Sequence, residues 1–257
     1  AAIFVVAASL ALYLRFVARR IQKVRWGWDD GLILSAALFL YSLIACCLVD
    51  VYGGGVGYHR SVVEQSASKI RVLAKMAIVL PIFYLPAAAL PKLSIICLYL
   101  RIFHKQTNPI QRKICWITAI LVVANCIGSM IPAFVACRPL SYLWMERKPG
   151  DPTHCIDFNA WYRWGSIMNV ITDIVMIFLP IPVIWKLSSS RSVKISLSIT
   201  FALGSLGVVT SIIRFVGFFK TDSHSDGTWN ATNFLILTTV ECGMYFISAC
   251  LLAMKPI

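Results

Sequence analysis

Charge is scarce in this chain. Asp, Glu, Lys and Arg make up 14% of its 257 residues, against roughly 25% in an ordinary soluble domain. Acidic residues are the rarer kind, 11 against 24 Lys and Arg, and the formal net charge is +13. Hydrophobic residues make up 59% and the mean hydropathy is +0.77. No single water-facing surface accommodates that composition, so a soluble globular enzyme, a disordered tail, a collagen-like chain and a disulfide scaffold are excluded. In so apolar a chain the basic excess points to short loops facing an anionic membrane leaflet, and nucleic acid is not an expected partner.

Signatures of catalysis and metal binding are missing as well. His59, His104, His154 and His224 fall in four separate loops, and no H-E-x-x-H occurs, so no metal site is expected. The run Gly53-Gly54-Gly55-Val56-Gly57-Tyr58-His59 lacks Gly-Lys-Ser/Thr, and the third glycine of a G-x-G-x-x-G pattern would fall on Tyr58. It reads as a flexible turn. Nothing in the sequence brings a Ser-His-Asp or Cys-His set together, so no enzyme and no cofactor are expected. The chain has no initiator Met, and residue 1 already lies in an apolar run without a preceding basic region. The expectation is a single membrane domain over 1–257, cut from a longer chain and without a signal peptide.

What the chain does have is long hydrophobic runs. A helix crossing hydrocarbon needs about 20 mostly apolar residues. Seven such stretches occur, at about 1–17, 31–52, 76–100, 114–136, 164–187, 195–219 and 231–254. The third carries Pro81, Pro86 and Pro91, which free backbone carbonyls that neighbouring groups must satisfy. The runs are too continuous for barrel strands. The fold expected is all-α, a seven-transmembrane-helix bundle. With the N-terminus outside and the C-terminus cytoplasmic, the inner segments hold 13 Lys and Arg and the outer ones 9, the sense of the positive-inside bias. That orientation places Cys137 and Cys155 in one outer loop, where an oxidising compartment permits a disulfide. It also places the sequon Asn230-Ala231-Thr232 outside, although close to the membrane. The remaining seven cysteines read as small packing residues.

Five charges fall inside or at the edge of the spans: Asp50, Lys92, Asp173, Arg214 and Glu241. A charge at the bilayer centre costs at least ~2.5–3.5 kcal/mol, so such residues face the bundle interior and find partners. Counting helical rise puts Lys92, Asp173 and Glu241 near mid-membrane, with Asn169 one turn from Asp173 on the same face. These residues predict a polar network between the third, fifth and seventh stretches. It has two readings: a site for a ligand, ion or relayed proton, or a clamp holding kinked helices together. Arg214, near the outer end of its stretch, is expected to reach the interface, and Asp50 to be solvated. Trp26-Gly27-Trp28-Asp29-Asp30 opens the second stretch, its acids suited to a helix N-terminus and its tryptophans to the interface. The inner basic segments Arg101–Lys105 and Lys186–Lys194 serve topology or dock a cytoplasmic partner.

Several of these features, taken in order and spacing, resemble the fungal integral membrane proteins with a rhodopsin-like domain. They are Asp29-Asp30, Gly55 to His59, Lys92-Leu93-Ser94, and Tyr99 to Phe103. Cys137-Arg138-Pro139-Leu140 with Trp144 and Cys155 comes next, then Asp173 with Pro180-Ile181-Pro182 and Trp185. Arg214, Glu241 and Lys255-Pro256 complete the set. Leu252 departs from the pattern, where the family often has proline. The resemblance implies a multi-pass protein of the plasma membrane, receptor-like, with relatives that carry CFEM modules or belong to secondary-metabolite clusters. A small-molecule ligand and a cytoplasmic signalling partner are the implied partners besides lipid. Retinal is not expected, because residues 231–254 contain no lysine to form a Schiff base. Neither Asp-Arg-Tyr nor Asn-Pro-x-x-Tyr occurs at the stretch ends, so coupling to a G protein would rest on architecture alone. A metabolite transporter or an accessory membrane protein is the alternative reading.

Overall fold

The computed structural model describes residues 2–23, 26–102, 109–137, 155–179, 191–220 and 227–254. Phe103, His104, Lys105, Arg138 to His154, Pro180 to Ser190, Thr221 to Asp226 and Lys255 to Ile257 lie outside the described residues. The long helices are α1 (Ala2–Ile21), α2 (Trp28–Val49), α3 (Ala67–Ile102), α4 (Pro109–Val135), α5 (Phe158–Phe178), α6 (Arg191–Lys220) and α7 (Gly227–Ala253). Among the described residues there is no strand, only isolated bridges at Val56–Tyr58 and Cys137–Cys155. Among the described residues, six helices are long and apolar enough to cross a membrane: α1, α3, α4, α7, α2 with its extension to Gly54, and α6 over Phe201–Phe219. The remaining long helix, α5, carries Arg163, Asn169 and Asp173.

Local chemistry sets the helix ends. The Asp30 carboxylate accepts from the Gly27 amide at 3.2 Å, and Asp157 accepts from the Ala160 amide at 3.3 Å, each satisfying a donor that a helix start leaves free. Pro109 opens α4, where a missing N–H costs nothing. Past Val49, α2 widens into one π-helical turn, Asp50–Gly54, which stops at Gly55 in the left-handed region (φ 75°).

The third stretch begins nine residues earlier than expected, because Lys69, Arg71 and Lys75 mask the helical start in a purely apolar count. At 36 residues α3 spans about 54 Å, well beyond ~30 Å of hydrocarbon. It runs through Pro81, Pro86 and Pro91 as one helix. Pro81 leaves the Ala77 carbonyl without its usual amide, and the Tyr162 hydroxyl from α5 donates to it at 3.0 Å. Trp161 Nε1 of α5 likewise donates to the Ser129 carbonyl of α4 at 3.1 Å, one turn before Pro132.

Helices α3 and α7 form the middle of the bundle. α3 packs on α2, α4 and α7, while α7 also meets α1, α2 and α6. Small buried residues permit this close approach, among them Ala36, Ala37, Ala87, Ala88, Ala249 and Cys250 around Phe246. Bulky apolar side chains such as Ile120, Ile127 and Ile131 on α4 point outward, as lipid contact requires. Cys137 and Cys155 are disulfide-bonded, with Cα atoms 4.1 Å apart. The glycine-rich turn is held in place: Val56 is buried, the Gly57 amide donates to the Thr228 carbonyl at 3.2 Å, and His59 stacks on Trp229 at 4.9 Å.

Candidate polar site in the bundle

Lys92 (α3), Asn169 and Asp173 (α5), Arg214 (α6) and Glu241 (α7) come together in one buried network. Lys92 Nζ pairs with Asp173 Oδ1 and donates to Asn169 Oδ1 at 2.7 Å. Asn169 Nδ2 donates to Glu241 Oε1 at 2.6 Å. Arg214 Nη2 pairs with Glu241 Oε2 at 3.1 Å and donates to the Tyr84 hydroxyl, its guanidinium lying over the Tyr84 ring. The Ser211 hydroxyl sits 2.8 Å from both Asp173 Oδ2 and Glu241 Oε1. Two cations thus face two carboxylates, and the set is neutral. Neutral pairing is what lets four ionised groups, each no more than 6% exposed, survive among apolar helices.

Two expectations need correction. Arg214 does not extend to an exposed position: it is buried, paired with Glu241 and packed over the Tyr84 ring. Asp50 is not solvated. It starts the π-turn, is 4% exposed, and its Oδ1 has no hydrogen-bond partner among the described residues. The sequence reading missed Tyr84, Ser211 and Tyr245, whose ring lies 5.0 Å from Lys92 Nζ. Spacing carried a signal for two of them. Ser211 precedes Arg214 by three residues and Tyr245 follows Glu241 by four, each sharing a helical face with the charge.

A second charged cluster lies at the opposite end of the bundle. Arg15 is fully buried and pairs with Asp29 Oδ2 at 2.8 Å and Asp30 Oδ1 at 3.1 Å, while its Nη1 donates to the Ala249 carbonyl at 2.9 Å. Arg19 pairs with both aspartates. Asp29 and Asp30 therefore do more than complement a helix dipole: with two basic residues counted as topological signals they tie α1, α2 and α7 together. Ser94 Oγ adds α3 by donating to the Asp29 carbonyl at 3.0 Å. Asn230 stands half-buried in the first turns of α7, and the Thr232 hydroxyl of the same sequon is buried.

Above the first network lies a cavity of about 290 Å³. Its walls are mostly apolar and aromatic, including Trp161, Tyr162, Phe218 and Phe234, and Tyr84, Lys92, Asn169 and Arg214 of the network also line it. Asp50 is on the wall as well. No group of three or more His, Cys, Asp or Glu side chains suited to a metal ion occurs among the described residues.

The sequence profile of the fungal rhodopsin domain matches residues 14–257. The chain belongs to that family. It is similar to the Polyenoic acids biosynthesis gene cluster protein Ba17b of Metarhizium anisopliae, 30% identical over all of this chain and 71% of that protein. It is 28% identical to a SAT4 family membrane protein of Emericella nidulans, over 89% of this chain and 53% of the relative. Receptor GIN3 of Arthrobotrys oligospora is 26% identical over 96% of this chain and 58% of its own length. The chain thus spans little more than half of the last two. No solved structure matches. As a fungal rhodopsin domain protein with several apolar helices, the chain is a multi-pass membrane protein.

Proposed function

We propose that this fungal rhodopsin domain protein is a receptor-like sensor of a small molecule. It has seven spans, its N-terminus outside and its C-terminus cytoplasmic, and resides in the plasma membrane. The carrying observation is the cavity lined by the Lys92, Asn169 and Arg214 side chains, whose partners come from α3, α5 and α7. A ligand shifts a conformational equilibrium only through contacts that differ between states. One that engages Lys92 or Arg214 competes with Asp173 or Glu241 and so acts on four helices at once. The distribution of basic residues and the position of the disulfide support the orientation. The protein acts without catalysis and without retinal, and passes the change to a cytoplasmic partner. The name of Receptor GIN3 agrees with this reading.

The alternative is a metabolite transporter that uses the same buried charges for coupling. It draws support from a relative named for a biosynthesis gene cluster. Proteoliposomes separate the two. A sensor gives no pH-dependent flux of candidate metabolites, and it recruits a cytoplasmic partner when ligand is added. Flux that Asp173→Asn or Glu241→Gln abolishes would establish the transporter instead.

A further inference from the structure

Charge is not spread evenly around the cavity. Lys92 and Arg214 are on its wall, whereas Asp173 and Glu241, which neutralise them, are not. Each ion pair therefore presents its positive end to the cavity, and the negative end is turned into the helix packing. Arg214 is 6% exposed, and its Nε has no hydrogen-bond partner among the described residues. A buried guanidinium donor left open beside a cavity is unusual, since such groups are nearly always satisfied. Among the described residues the one carboxylate on the wall, Asp50, is remote. Gly54 of its π-turn packs on Leu73 of α3, and Leu73 precedes Tyr84 by eleven residues, a rise of about 16 Å. The wall around Arg214 thus offers cationic and hydroxyl donors, and the remaining walls are mostly apolar and aromatic.

We propose that the cavity binds an organic anion with an apolar body, its acidic group seated on Arg214 and Lys92. Planar guanidinium groups favour the two oxygens of a carboxylate. A cavity of about 290 Å³ lies at the small end of ligand pockets, roughly 300–1,000 Å³, which suits a compact aromatic acid. This rests on the reading of the cavity as the ligand site.

The test uses the full chain in lipid nanodiscs and three probes that share one ring system: 2-naphthoate, its isostere 2-naphthamide, and 2-naphthylmethylamine. Binding is measured by equilibrium dialysis with empty nanodiscs subtracted. The acid binds more tightly than the amide by at least about tenfold, the usual weight of a charge-assisted hydrogen bond. Arg214→Lys keeps the charge but not the planar fork and retains part of that preference. The double variant Arg214→Gln/Glu241→Gln, which leaves the cluster neutral, brings the ratio close to one. Its unfolding midpoint is measured alongside, and if it does not fold, the wild-type ratio and Arg214→Lys decide. Amide or amine binding as tightly as the acid, and lost in the cavity-filling Ala88→Trp, overturns the anion inference and leaves the ligand site standing. An undiminished acid preference in the folded double variant overturns the seat on Arg214. If no probe binds at millimolar concentration, both the inference and the cavity reading fall.

Discussion

Glu241→Gln is the sharpest probe of the buried network. The Glu241 carboxylate is inaccessible to solvent and has no donor of its own. Oε1 faces Asn169 Nδ2 at 2.6 Å and the Ser211 hydroxyl at 2.8 Å, while Oε2 faces Arg214 Nη2 at 3.1 Å. A glutamine amide has one oxygen and one nitrogen. Whichever way it turns, its NH₂ confronts donors: Arg214 in one orientation, Asn169 in the other. The substitution also strands the Arg214 charge. Removing one partner of a buried ion pair costs about 3–5 kcal/mol. Because Arg214 lines the cavity, water can solvate it in part, which places the expected loss near the lower end, roughly 3 kcal/mol. The same figure applies to Arg214→Gln. The double variant removes both charges and should lose only about 1–2 kcal/mol, since replacing both members of a buried pair is far less damaging. Thermal unfolding of the four proteins in bicelles closes the cycle. If Glu241→Gln unfolds within about 0.5 kcal/mol of the wild type, or if the two single losses simply add, the network is not a coupled ion-pair set and the reasoning fails.

Asp30→Asn should destabilise the protein by about 2–4 kcal/mol, since it weakens pairs to Arg15 and Arg19 and leaves two buried guanidinium groups facing one carboxylate. Hydrogen exchange should then rise first at the start of α2. Asp50→Asn should do the opposite. Its carboxylate is buried with one oxygen unpartnered, so a neutral amide of the same shape stabilises the fold by about 1 kcal/mol, read as a raised unfolding midpoint, and a lowered midpoint would show that Asp50 has a counter-charge. Cys137→Ser with Cys155→Ser opens a loop with a sequence separation of 18 and should cost about 3 kcal/mol on the chain-entropy account. An unchanged midpoint in oxidising buffer would contradict that role.

The long helices were legible in the sequence because hydrocarbon thickness and helical rise leave few choices for where an apolar run begins and ends. Rise alone also set Lys92, Asp173 and Glu241 at one depth, and these three share the network in the structure. Depth measured from the end of an apolar stretch failed at Arg214 and Asp50. Asp50 starts a π-turn that continues the packed structure beyond the last apolar residue of α2, while Arg214 is turned inward by Glu241 and Tyr84, so residues near a stretch end are still covered. The Arg15–Arg19–Asp29–Asp30 cluster was hidden differently. Basic residues after one helix and acids before the next have a sufficient explanation in topology and helix dipoles, and only coordinates reveal that the four converge.

That second cluster changes how the first is to be understood. Lys92 holds Asp173, and Ser94, two residues further along α3, holds the Asp29 carbonyl. On α7, Glu241 closes one cluster, and the carbonyl of Ala249, eight residues or about 12 Å along the helix, accepts from Arg15 in the other. The two central helices therefore each carry contacts to both clusters. Between them lies tight packing of small residues around Phe246, and close-packed interiors transmit displacement instead of absorbing it. A shift of α7 large enough to part Glu241 from Arg214 must also move the carbonyl on which Arg15 depends. For a sensor, that linkage would carry a change at the cavity to the far end of the bundle without any hinge.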